Sequence, residues 1–338
     1  MWRAVGRHGG GRATFEAAPN IALVKYWGMR DPERVLPYNS SLSLTLDRMR
    51  TRTTVRFDPE READELMLNG TRIEGPAAHD ASRFLDRVRE RSGVTSYAQI
   101  RTSNNFPTAS GLASSASGFA ALAGAAAIAS GLHLSPRTLS QLARLGSGSA
   151  SRSIFGGFVE WRAGTRPDGR DCYARPLAGP RHWPSFRDVV VLIDRAPTKK
   201  VRSAEAMQST VRTSPYYFER QREIPGRIAR IRRAIARRDA RTLFPLIMEE
   251  CDSFRRVCET TVPSLDYLTA SSRAVLAEVR AINDAARRPV AAYTHDAGAH
   301  VHVFTLAAEA DGVRRRLGRL PGVRRTLELS AGPAAHPI

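Results

Sequence analysis

Apolar and polar positions alternate over residues 39–47 (NSSLSLTLD), while the apolar-rich stretch 12–28 (RATFEAAPNIALVKYWG) and the stretch 52–58 (RTTVRFD) also read as strands. A period of two predicts a strand with one buried face, and the stretch 12–28 leads into a tight segment. ELMLNGTRI, residues 65–73, carries Asn-Gly between two short apolar runs and predicts a hairpin. The spacing then lengthens. AHDASRFLDRVRERSG, residues 78–93, has helical periodicity and ends on a glycine stop. SYAQIRTSNNF predicts a strand, and residues 135–161 predict a helix with a Ser-Pro start, a Gly-Ser loop and a further strand. From about residue 185 the pattern restarts: strand RDVVVLID, then a loop and arginine-rich helices (PGRIARIRRAIARRD, ARTLFPLIMEECDSF, SSRAVLAEVRAIND). Two late strands, VAAYTHDAG and HVHVFTL, close the set. The expectation is an α+β chain dividing near 185, without internal repeats: a tail over 1–12, one unit over 13–185 and a second over 186–338.

Composition narrows the class. At 338 residues and 42% hydrophobic content the chain reads as globular, with the size for one deep-clefted unit or two modest domains. No apolar stretch approaches the roughly 20 uncharged residues of a membrane helix. The basic, Gly-rich start lacks the apolar region of a secretory signal. Cys172, Cys251 and Cys258 show no metal-ligand spacing, and Cys251 and Cys258 fall two turns apart on one helix, about 10 Å, too far for a disulfide. A reducing cytoplasm fits.

The net charge of +19 raises a nucleic-acid reading, but arginine is spread along the whole chain and no aromatic-basic ribbon appears. A diffuse positive field instead concentrates anionic substrates. Against 52 basic residues there are only three lysines, Lys25, Lys199 and Lys200. Where arginine serves almost everywhere, a lysine is a candidate for work that needs a compact ammonium.

The stretch NNFPTASGLASSASGFAALAG reads as a phosphate loop running into an apolar helix. Gly111 permits a tight turn, and Ser114 and Ser115 fall where the helix begins, its free N–H groups suiting a phosphate. The Walker pattern and its lysine are absent. The same residues also suit a small-residue packing helix with a serine cap. P-x-x-x-G-L-x-S-S-A, beginning at Pro107, resembles the phosphate motif of the superfamily of galactokinase, homoserine kinase, mevalonate kinase and phosphomevalonate kinase. APNIALVKYWGMRD, LPYNSSLSLTLD, GSGSASRSIFGGFVEW, TKKVRSAEAMQSTVRTSPYY and AYTHDAG, in that order, narrow the resemblance to the mevalonate-diphosphate decarboxylase family over residues 13–305.

The resemblance implies a two-lobed fold of the superfamily's kind with an active-site cleft, often a homodimer, and a reaction that joins ATP and Mg2+ to a 5-phosphorylated mevalonate with loss of carbon dioxide and phosphate. By position it makes Asp296 the carboxylate at the tertiary hydroxyl, Lys25 its ammonium partner and supplier of the charge missing from the loop, and Arg152 the grip on the substrate carboxylate. Tyr26, Ser147 and Ser149 become substrate contacts. Pro107, Gly111, Ser114 and Ser115 hold the ATP phosphates, with Mg2+ carried by ATP and touched at most by Ser115. Trp27 reads as packing, and His295, His300 and His302 as structural rather than a metal site.

One departure bears on the substrate. Relatives read K-Y-W-G-K-R-D, and this chain has Met29 at the second lysine. A charged contact to an anion contributes about 1.5–3 kcal/mol, so its loss fits a substrate with one phosphate fewer, unless Arg202 replaces the charge. The expectation is mevalonate 5-phosphate going to isopentenyl phosphate, with the 5-diphosphate as alternative. A 3-kinase that stops after phosphorylation and a basic nucleic-acid-binding protein are the remaining possibilities.

Overall fold

The computed structural model describes residues 11–106, 114–194 and 201–338, and alternation along the chain becomes three main sheets. The first has six strands in the order His336–Pro337, Arg12–Ala17, Thr51–Asp58, Tyr97–Asn104, Glu65–Leu68 and Thr71–Ile73. The second runs Ala174–Ala178, Phe158–Trp161, Ser41–Thr45, Asn20–Val24, and the third Ala291–Thr294, Val301–Leu306, Phe186–Ile193, Val323–Leu329. The architecture is α+β, as expected.

The segment expected as one strand is two, Arg12–Ala17 and Asn20–Val24, in different sheets. Pro19 separates them, and a residue without an N–H cannot continue a ladder. The Asn-Gly hairpin forms, with Asn69 and Gly70 both at positive φ (49° and 84°), the condition for its tight turn. The arginine-rich helix expected from Pro225 begins two turns earlier, as Tyr217–Arg237, and runs through that proline. Beyond the two late strands lie the helix Ala307–Gly318 and the strand Val323–Leu329, which periodicity did not predict. That strand is an edge with Arg324 and Arg325 exposed, so its sequence shows little alternation.

Helix Ser114–Ala129 packs its small residues onto the first sheet, with Ala120, Ala121 and Ala123 against Phe15, Val55 and Phe57. Another cluster crosses position 185. Leu23, Leu42 and Leu44 of the second sheet meet Phe186, Val190 and Phe304 of the third and Ile231, Leu243 and Ile247 of helices Tyr217–Arg237 and Ala240–Glu259. The C-terminal residues return to the first sheet, where His336 pairs with Glu16. Position 185 therefore marks a change of sheet within a continuous apolar core. Cys172, Cys251 and Cys258 are buried and unbridged.

The close approach at Gly124 gives a test. A Cβ there would stand 2.3 Å from the Phe15 ring. Helix propensity alone favours alanine by about 1 kcal/mol, whereas overpacking costs about 1–3 kcal/mol. Gly124→Ala is expected to lower the urea unfolding midpoint, and a raised midpoint would show that the contact has slack.

Candidate active site

Strand Asn20–Val24 ends in a register shift between Ala22 and Val24, directly before Lys25. Such a shift re-aims the side chains that follow it. Lys25 is only 2% exposed, and its Nζ donates to Ala22 O at 2.9 Å and to Asp296 Oδ1 at 2.8 Å. Asp296 lies just past the strand Ala291–Thr294, where the Gly298 N–H closes a turn onto the Asp296 carbonyl at 2.8 Å. Its side chain keeps 29% exposure. Burial pushes its pKa up, but the charge and hydrogen bond of Lys25, with His302 and Arg152, outweigh burial and hold it below the ordinary carboxylate value.

Arg152 sits in the short helix Ala150–Ser153 and is 3% exposed. Its Nε donates to Asn20 Oδ1 at 3.0 Å and its Nη1 to Ser41 Oγ at 2.6 Å, while Asn20 Nδ2 donates to Ser149 O and Ser153 Oγ. Nη2 takes no hydrogen bond among the described residues. Burial lowers the guanidinium to about 10, against the opposing pull of Asp296 and Tyr26, so it stays charged at neutral pH. Tyr26 packs edge-on against Trp161 with centroids 4.8 Å apart. Burial raises its pKa first, and the phenol remains a donor. Beside it runs the turn of Ser147 and Ser149, whose hydroxyls lie 3.2 Å apart. A Cβ on the intervening Gly148 would come within 2.7 Å of the Tyr26 ring.

Lys25, Tyr26, Arg152, Ser147, Ser149 and Asp296 thus form one linked neighbourhood. Ser114 and Ser115 begin helix Ser114–Ala129, half-buried and exposed respectively, and no hydrogen bond among the described residues ties them to that group. Pro107, Gly111, Lys199 and Lys200 lie outside the described residues. Arg202 is 57% exposed and paired with Asp80, away from the group's hydrogen bonds. Met29 is buried among Trp27, Met207, Tyr217 and Phe254. Trp27 is packing, 5.1 Å from Phe254 between centroids, with Nε1 donating to Thr210. His295 contacts Asp296 O, His300 accepts from the Ile193 N–H, and His302 pairs with Asp188 at 2.7 Å. Each histidine has its own partner, and the described residues hold no cluster of three or more metal-ligating groups.

Sequence reasoning missed four residues. Asn20 and Ser41 orient Arg152 from inside the family motifs, where motif membership was their only signal. Asn39 and Glu250 bind the Lys25 backbone.

Residues 17–174 match the diphosphomevalonate decarboxylase-like N-terminal domain, and residues 189–327 the mevalonate 5-diphosphate decarboxylase C-terminal domain. The chain belongs to the diphosphomevalonate decarboxylase family. Among relatives, the Aspergillus fumigatus diphosphomevalonate decarboxylase mvd1 is 41% identical over 318 residues, covering 89% of this chain and 78% of that one. The human diphosphomevalonate decarboxylase is 40% identical over 309 residues, covering 87% and 76%. Among solved structures, a mevalonate diphosphate decarboxylase from Staphylococcus aureus superposes with TM-score 0.91 at 34% identity, covering 97% of this chain and 98% of that one. A complex of MDDEF with MVAPP, AMPPCP and magnesium gives the same TM-score of 0.91 and 34% identity, covering 97% and 99%. The fold is therefore that of the superfamily expected from the phosphate motif.

The buried histidines set a pH dependence. Burial first, then Lys25, lowers His295 to about 4, and burial, then His302, lowers His300 to about 4. An unfolded histidine titrates near 6.5. Between about pH 6.5 and 4 the unfolded chain therefore binds more protons than the folded one, and stability falls as pH drops through that window. The expected loss is on the order of 1–3 kcal/mol per histidine. Urea unfolding at pH 7.5 and 5.0 measures it, and equal midpoints would contradict the burial of neutral imidazoles.

Proposed function

We propose that this chain catalyses the ATP-dependent decarboxylation of a 5-phosphorylated mevalonate to an isopentenyl product, releasing ADP, phosphate and carbon dioxide. The observation that carries the reading is the Lys25–Asp296 pair at 2.8 Å beside the buried Arg152. The nucleophile is a tertiary hydroxyl. Asp296, kept ionised by Lys25, orients it and accepts its proton as the oxygen bonds the γ-phosphorus of ATP and ADP departs. The C3–O bond then breaks, phosphate leaves, and the electrons of the C1–C2 bond close the C2=C3 double bond as carbon dioxide is lost. Arg152, through the Nη2 that no hydrogen bond among the described residues engages, aligns the departing carboxylate. The negative charge of Asp296 favours the positive charge that develops at C3.

ATP and Mg2+ fit the donor set. Helix Ser114–Ala129 opens on Ser114 and Ser115 with no acidic residue in its first turn, which would suit a phosphate at the helix N-terminus, and Ser115 would be the residue to assist a Mg2+ carried by that phosphate. Mg2+ supplies charge neutralisation of the triphosphate when bound.

The relatives support the 5-diphosphate as substrate. A second reading, mevalonate 5-phosphate, rests on Met29, which offers a buried apolar chain where the family motif has a lysine, and on Arg202, whose charge is engaged by Asp80. A product assay with both substrates, scoring ADP, phosphate and carbon dioxide together, tests the proposal. Equal yields of the three are expected with at least one substrate, and kcat/KM assigns it. ADP without carbon dioxide would replace the decarboxylase with a 3-kinase. Asp296→Asn is expected to cut kcat by about 10²–10⁴-fold. A variant within twofold of the parent would remove Asp296 from the chemistry.

A further inference from the structure

The Lys25 backbone contacts a second buried carboxylate that no part of the proposed chemistry uses. Glu250, on helix Ala240–Glu259, is fully buried, and its Oε1 accepts the Lys25 backbone N–H at 3.0 Å. Arg220, on helix Tyr217–Arg237, donates from Nη2 to the same carboxylate oxygen and, at 3.3 Å, to the Lys25 carbonyl. One ion pair therefore grips the peptide groups on both sides of the Lys25 Cα. Asn39 Nδ2 reaches that carbonyl as well, at 3.0 Å. The other Glu250 oxygen accepts from Arg227 Nη1 at 2.7 Å, and Arg227 Nη2 ties on to Glu249 and Glu223 at 3.1 Å each.

We propose that Glu250, braced by Arg220 and Arg227, is a positioning residue that sets the reach of the Lys25 ammonium to Asp296. The ladder of strand Asn20–Val24 stops one residue short of Lys25, so the sheet does not hold this peptide. A buried ion pair is no efficient source of stability in its own right, since an apolar group of the same shape serves as well. Its retention with both ends of one residue in its grip fits a role in geometry. Misplacing a catalytic group by an ångström is costly to rate. The inference rests on the proposed reaction for its kinetic consequence, though not for its geometry.

The test compares full-length Glu250→Gln with the parent and with Leu243→Ala, a core change on the same helix at a side chain that makes no hydrogen bond. In Glu250→Gln, kcat is expected to fall about tenfold or more, with KM for ATP within twofold of the parent. The acid limb of the kcat profile moves to higher pH, because Asp296 loses part of the lysine's charge. Only three lysines occur in the chain, so amine-reactive labelling followed by peptide mass spectrometry reads residue 25 by itself. Lys25 should label faster in Glu250→Gln than in Leu243→Ala at equal folded fraction. An unmoved acid limb together with labelling no faster than in Leu243→Ala would overturn the proposal. Should Glu250→Gln fail to fold, Arg220→Lys, which keeps a charge beside Glu250 and removes the guanidinium link to the Lys25 carbonyl, takes its place with the same two readouts and the same deciding outcomes. A parent enzyme that turns over neither phosphorylated mevalonate would end the reaction assignment, while the labelling comparison would still decide the anchoring.

Discussion

A lysine that is 2% exposed must be paired or neutral, and here it is paired with a carboxylate 271 residues away in sequence. The Lys25–Asp296 contact depends on the continuous core: strand Asn20–Val24 and strand Ala291–Thr294 belong to different sheets, held together by helices Tyr217–Arg237 and Ala240–Glu259. Burial alone pushes the pKa of Asp296 up. The ammonium reverses that, so the acid is kept as an anion at a site only partly open to water.

The scarcity of lysine acquires a physical sense in this setting. The guanidinium groups of Arg152, Arg220 and Arg227 act as planar forks, each bridging two or more fixed oxygens. At position 25 the contact is a compact charge pointing at one carboxylate oxygen and one carbonyl, which a fork would overfill. Most of the remaining arginines with partners lie in exposed ion pairs such as Arg166–Asp168 and Arg314–Asp311, each contributing little to stability.

Much of this was legible in the sequence, for specific reasons. Alternation marked strand Ser41–Thr45, whose polar face proves buried as well, and the stretch 52–58 was legible as strand Thr51–Asp58, buried on one face. The Asn-Gly pair marked its hairpin, and ordered motifs singled out Lys25, Arg152 and Asp296 from many similar residues. Among the elements that escaped were the helix Ala307–Gly318, the exposed edge strand Val323–Leu329, and the first two turns of the helix that runs through Pro225. Arg202, expected at the site, pairs with Asp80 instead because an exposed long side chain pairs with a nearby acid, which motif alignment does not register. Glu250 escaped because it contacts the backbone of Lys25, and a backbone contact imposes no residue type that a motif would display.

The central claim is that Lys25 and Asp296 act as one unit, and a double-mutant cycle measures that directly. Lys25→Met, Asp296→Asn and the double variant are compared by kcat/KM on the preferred phosphorylated mevalonate. Groups that act as a unit are strongly non-additive, so the double variant should be no slower than the worse single variant within about threefold. Losses that multiply, as for independent sites, would contradict the account.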